Sequence, residues 1–116
     1  MTAETMIPQR SQSIMKSEEY RPLASMIRQC RLAAGITQRE ISEFCDVTQS
    51  TFSRIEKGKR YPSVTVIYRI AEFLEIDIHQ LLIITALSAL DAPGISHRYL
   101  ATIMGALKED RHREVR

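Results

Sequence analysis

The sequence predicts an all-α fold, five short helices followed by an additional C-terminal helix. Three observations predict it. Apolar residues recur at the 3.6-residue period of a helix in successive segments. Ser, Thr or Asp stands ahead of most of these segments, where a helix begins. Gly or a short polar break stands behind them.

Pro22 suits the first position of the first helix, where its missing N–H costs nothing. Leu23, Met26, Ile27, Cys30 and Ala34 then mark one face, and Gly35 ends the helix. Thr37 with Glu40 forms a capping box for a second helix, whose inner face is Ile41, Phe44 and Cys45. Thr48 caps a third helix that buries Phe52 and Ile55 and closes at Gly58. A basic loop, Lys59-Arg60-Tyr61-Pro62, leads to Ser63, the cap of a fourth helix with Val64, Ile67, Ile70, Ala71 and Leu74 inward. Asp77 and Gln80 start a fifth helix that is apolar nearly all round, from Ile78 to Leu90. Asp91-Ala92-Pro93-Gly94 breaks the chain, and Ser96 caps a last helix with Leu100, Ile103, Met104 and Leu107 on one face. Residues 1–20 are polar and read as a mobile arm with a short helical turn near Ile14–Met15.

Composition narrows the function classes. Of 116 residues, 44% are hydrophobic and 26% charged, ordinary for a soluble globular chain. The longest apolar run, Leu81 to Leu90, is about half of the ~20 residues a membrane-spanning helix requires, and no secretory signal is visible, so a cytoplasmic protein without membrane contact is expected. Cys30 and Cys45 make no disulfide framework or CxxC, and His79, His97 and His112 are too scattered for zinc. The cysteines read as small apolar core residues. No cofactor is expected. No nucleophile–base pair, phosphate loop or metal-ligand set is visible either, which argues against an enzyme.

Charge distribution says more than the net +2. Residues 21–62 carry eight Lys/Arg against four Asp/Glu, which concentrates positive charge where a polyanion would be met. In the same region two short helices, Thr37–Cys45 and Gln49–Lys57, are joined by only three residues, the spacing of a helix-turn-helix. Ile41, Val47, Phe52 and Ile55 would form its shared apolar base. The outer face of the second helix offers Gln49, Ser50, Ser53 and Arg54, side chains able to hydrogen-bond base edges in the major groove of duplex DNA. From these residues alone, a plain helical hairpin with a polar outer face stays open as the alternative.

From Ile27 to Leu82 the sequence resembles the phage-repressor (Cro/C1-type, or XRE) family of helix-turn-helix domains. The strings that carry the resemblance are Thr37-Gln38-Arg39-Glu40-Ile41-Ser42, Thr48 to Gly58, and Pro62-Ser63 with Ile70-Ala71. It implies a five-helix lambda-repressor-like DNA-binding domain, with the C-terminal helix added. It also implies that Gln49, Ser50 and Arg54 face bases, and that Gln38, Thr48, Ser53, Lys59 and Arg60 contact phosphates or backbone. Arg31 and Glu56 stand where relatives have a structural ion pair. Tyr61 is open between packing over the loop and a phosphate hydrogen bond. The sequence departs from the family pattern where Asp46 and Glu75 replace customary glycines, and where Ser50 is shorter than the amide often found there.

One such module reads only a few base pairs, so a homodimer on a two-fold-related, pseudo-palindromic operator is expected. Leu82, Ile83, Leu87, Leu90, Leu100, Ile103, Met104 and Leu107 are the expected pairing residues, on the exposed-apolar-patch argument. The alternative is that the last helix folds back over the fifth within one chain. The expected organisation is an arm over 1–20, a DNA-binding domain over 21–77, a helical dimerisation segment over 78–110 and a charged tail over 111–116. The expected function is a sequence-specific transcriptional regulator acting as a repressor. The competing reading is an antitoxin, whose C-terminal helices grip a partner protein while the chain represses its own operon. A third is an interaction module that lost its DNA, against which Gln38, Gln49, Arg54, Lys59 and Arg60 argue.

Overall fold

The computed structural model describes residues 22–115 except 91 and 93, and the side chains as far as residue 109. The expected N-terminal arm and the tail's side chains lie outside the described residues. Six helices and no strand occur among those described: α1 (Pro22–Ala33), α2 (Gln38–Cys45), α3 (Gln49–Glu56), α4 (Val64–Leu74), α5 (Ile78–Leu90) and α6 (His97–Val115). The all-α expectation holds, with each helix where periodicity and caps place it.

Local chemistry sets the boundaries. Thr37 accepts the Glu40 N–H while Glu40 accepts the Thr37 N–H at 2.8 Å, the reciprocal capping box. Thr48, Ser63, Asp77 and Ser96 cap α3, α4, α5 and α6 in the same one-sided way, each accepting the N–H three residues on. Four helices end alike. Gly35, Asp46, Gly58 and Glu75 all adopt the left-handed conformation, and the N–H of the following residue reaches back to close the last turn. Two of the four are acidic residues, at φ 61° and φ 58°, where an L side chain is strained.

The core is built from Leu23, Ile27, Ile41, Phe52, Ile55, Ile67, Ile70, Leu81 and Leu82. Each such side chain contributes roughly 1.5–3 kcal/mol by leaving water. On α1 the buried face is Leu23, Ala24, Ile27 and Arg31, rotated slightly from the expected one. Met26 and Cys30 are half-buried, and Ala34 lies beyond the helix end. The α2–α4 seam adds a stacked Phe44–Phe73 pair, centroids 4.6 Å apart, and Arg69 donates to the Phe44 carbonyl at the end of α2. Burial pushes the Cys45 thiol up to about 11, against a smaller pull from Arg69, so it sits in the core as a neutral thiol.

The last helix turns back over the fifth, and α5 packs against α1, α4 and α6. This corrects two of the expected pairing residues. Leu82 and Ile103 are fully buried within the chain, because Ile103 of α6 seats in the core that α5 completes. Leu100 and Leu107 are half-buried, whereas Ile83, Leu87, Leu90 and Met104 remain exposed. On α5 two hydroxyls, Thr85 and Ser88, face inward beside Leu81, Leu82, Ala86 and Ala89, while Ile83, Leu87 and Leu90 face outward. The inward hydroxyls are satisfied, Thr85 by donating to the Leu81 carbonyl and Ser88 by accepting the Leu23 N–H at 3.2 Å. No described helix is long and apolar enough to cross a membrane.

Candidate nucleic-acid interface

The geometry of the α2–α3 pair starts in the turn between them. Asp46 in the left-handed conformation lets its own N–H reach Glu43 and the Val47 N–H reach Ser42 at 3.0 Å. Thr48 then starts α3 at once, so three residues fix the crossing of the two helices. Ile41, Phe52 and Ile55 are buried under the pair, with Val47 half-buried beside them.

A buried polar cluster locks α1, α2 and α3 together. Arg31 holds both oxygens of Glu56, with Nε to Oε2 at 2.6 Å and Nη2 to Oε1 at 3.0 Å. Its remaining nitrogen, Nη1, donates to the Ile36 carbonyl at 2.7 Å. Gln38, the first residue of α2, donates its amide N–H to Glu56 Oε1 at 2.9 Å. Arg31 and Glu56 are 8% and 6% exposed, and the pair withstands desolvation because each of its side-chain nitrogens and oxygens has a hydrogen-bond partner. The Gln38–Glu56 bond carried no signal in the sequence, since it joins residues 18 positions apart.

Outward, α3 presents a different surface. Gln49, Ser50 and Arg54 are exposed and Ser53 half-exposed. None of these four side chains makes a hydrogen bond or ion pair among the described residues. The helix's one acidic residue, Glu56, is turned inward and neutralised by Arg31. Lys57, Lys59 and Arg60 follow at the surface. The face is therefore positive and polar, and the four outward side chains of α3 itself are uncommitted among the described residues. Its backbone adds to this, because the first N–H groups of α2 and α3 have no intrahelical partner and point out of the helix ends.

Thr48 and Gln38, both expected at phosphates, are partly engaged within the fold. The Thr48 hydroxyl accepts the Thr51 N–H at 3.0 Å and bonds the Thr51 hydroxyl at 2.9 Å. That leaves the nearby backbone N–H groups as the donors a phosphate would meet there. Gln38 keeps its second amide N–H after bonding Glu56. Tyr61 is half-buried and meets Tyr99 edge to face, centroids 5.7 Å apart, so it packs over the loop.

Comparison with known proteins agrees with this geometry. A family model described as Helix-turn-helix (HTH_3) matches residues 27–81, from the core of α1 to the first turn of α5. Over 52 residues the chain is 38% identical to an uncharacterized HTH-type transcriptional regulator of Methanothermobacter thermautotrophicus, covering 45% of this chain and 75% of that relative. No solved structure gave a significant match. With a matched span that holds α2, α3 and α4 entire, the chain belongs to the Cro/C1-type helix-turn-helix family, whose members are DNA-binding transcriptional regulators and not enzymes.

Proposed function

We propose that this chain is a sequence-specific repressor that binds as a homodimer to a pseudo-palindromic operator. The observation that carries the proposal is the outer face of α3, where Gln49, Ser50 and Arg54 are exposed and make no hydrogen bond or ion pair among the described residues. In the major groove Arg54 pairs with guanine O6/N7 and Gln49 with adenine N6/N7, each worth roughly 1–3 kcal/mol of discrimination. Ser50 is too short to reach as far as an amide and contributes a shallower contact. Gln38, Thr48, Ser53, Lys59 and Arg60 fix the register on phosphates, through side chains or the helix-terminal N–H groups beside them.

Pairing is supported by the apolar stripe that α5 leaves exposed. Ile83, Leu87 and Leu90 recur at i, i+4 and i+7 and stand 39%, 57% and 64% exposed. Such a stripe on one helix is costly in a monomer and is removed from water when two copies meet. In this reading residues 78–110 serve pairing as well as the core. The same stripe favours a second reading, the antitoxin, in which a different protein covers it. Selection of bound duplexes from a random library tests the first reading. An enriched inverted repeat supports a dimeric regulator, and enrichment of nothing above the salt-sensitive background overturns it. Copurification of a stoichiometric second protein with an otherwise monomeric chain favours the antitoxin.

A further inference from the structure

The segment 57–63 links α3 to α4 and carries Lys57, Lys59 and Arg60 at the surface. Its first half is held by α3 itself, through Gly58 N–H to Ile55 and Lys59 N–H to Arg54 at 2.9 Å. Its second half is held from the far end of the chain. Tyr99, in the first turn of α6, donates its hydroxyl to the Pro62 carbonyl at 2.6 Å. Its ring meets Tyr61 at an interplanar angle of 73°. Tyr99 is itself anchored, since Ser96 accepts its backbone N–H at 3.1 Å and α6 packs on both α4 and α5. Burial, and then the neighbouring Tyr61, push the Tyr99 phenol above the ordinary tyrosine range, so it stays protonated and able to donate.

A loop shaped before binding loses less backbone conformational freedom when it meets the DNA. We infer that Tyr99 is a positioning residue for DNA binding, presetting the Lys59–Arg60 loop for phosphate contact from the C-terminal helix. The inference rests on the DNA reading above, and it couples the helix that lies against α5 to the DNA-facing loop.

The test uses the full chain and Tyr99→Phe, which removes one oxygen and keeps the ring against Tyr61. In the native variant, tryptic cleavage after Lys59 and Arg60, read by mass spectrometry, accelerates relative to wild type. Affinity for the library-selected duplex falls about three- to tenfold, the worth of one hydrogen bond. The salt dependence of that affinity keeps its slope, because the same cations reach the same phosphates. Wild-type cleavage rate and affinity in the variant overturn the inference. A loss of affinity without faster cleavage makes Tyr99 a direct contact, which overturns it too. If the wild-type chain binds no duplex, the DNA reading fails and the role in DNA binding falls with it. The cleavage rates still decide separately whether Tyr99 holds the loop.

Discussion

Arg54 and Arg60 are both exposed cations, but they do different work in the proposed complex. Arg54 projects from the reading helix, and Arg60 from the loop behind it. Arg54→Ala is expected to relax preference at one base position by roughly 1–3 kcal/mol. Arg60→Ala is expected to weaken all duplexes similarly and lower the salt slope by about one. Titrations of matched and singly substituted duplexes at several salt concentrations separate the two. Unchanged selectivity in Arg54→Ala would mean the reading face lies elsewhere. Glu56 is a residue of another kind, since it receives both Arg31 and Gln38. Glu56→Gln leaves Arg31 as a buried charge without its counter-ion and is expected to cost about 3–5 kcal/mol in urea denaturation. A loss below about 1 kcal/mol would place the pair among weak surface bridges.

At the scale of the element, the helices are legible because their ends are local. Thr37, Thr48, Ser63 and Ser96 each bond a group three residues away, so a cap can be read wherever its residue type precedes a periodic run. The ends at Asp46 and Glu75 are legible only through the family resemblance, which has glycine at both places, and the structure keeps glycine's left-handed conformation there with acidic residues. Left-handed geometry costs an L residue about 1–2 kcal/mol, and glycine returns about 0.5–1 of that through a freer unfolded chain. Glu75→Gly is therefore expected to stabilise the fold by up to about 1 kcal/mol, seen as a higher urea midpoint with unchanged slope. Asp46→Gly gains less, since Asp tolerates the conformation better. Destabilisation by Glu75→Gly would show that its side chain contributes more than its backbone strain removes.

At the scale of the whole molecule, what the sequence hides is contact between distant segments. Leu82 and Ile103 read as surface candidates because periodicity names a face without saying what will cover it. The structure covers it with α6. The Ser88–Leu23 and Tyr99–Pro62 bonds are invisible for the same reason, joining residues 65 and 37 positions apart. What remains outside is the stripe of Ile83, Leu87 and Leu90. Leu87→Lys is expected to shift sedimentation at tens of micromolar from dimer to monomer. Operator affinity should fall by far more than affinity for an isolated half-site, because the second contact becomes a separate bimolecular event. Wild-type protein sedimenting as a monomer at those concentrations would remove the homodimer from the proposal.

The inward turn of Glu56 separates two inheritances. The groups that lock the helix pair, Arg31, Gln38 and Glu56 with Phe52 and Ile55, are turned inward, while Gln49, Ser50 and Arg54 make no hydrogen bond or ion pair among the described residues. Mutational drift on the outer face can thus change which DNA address is recognised without eroding the scaffold. Duplicated copies of such a gene can diverge to separate addresses in few steps, and exchanging those three residues between homologues should carry the preference across while leaving the melting temperature nearly where it was.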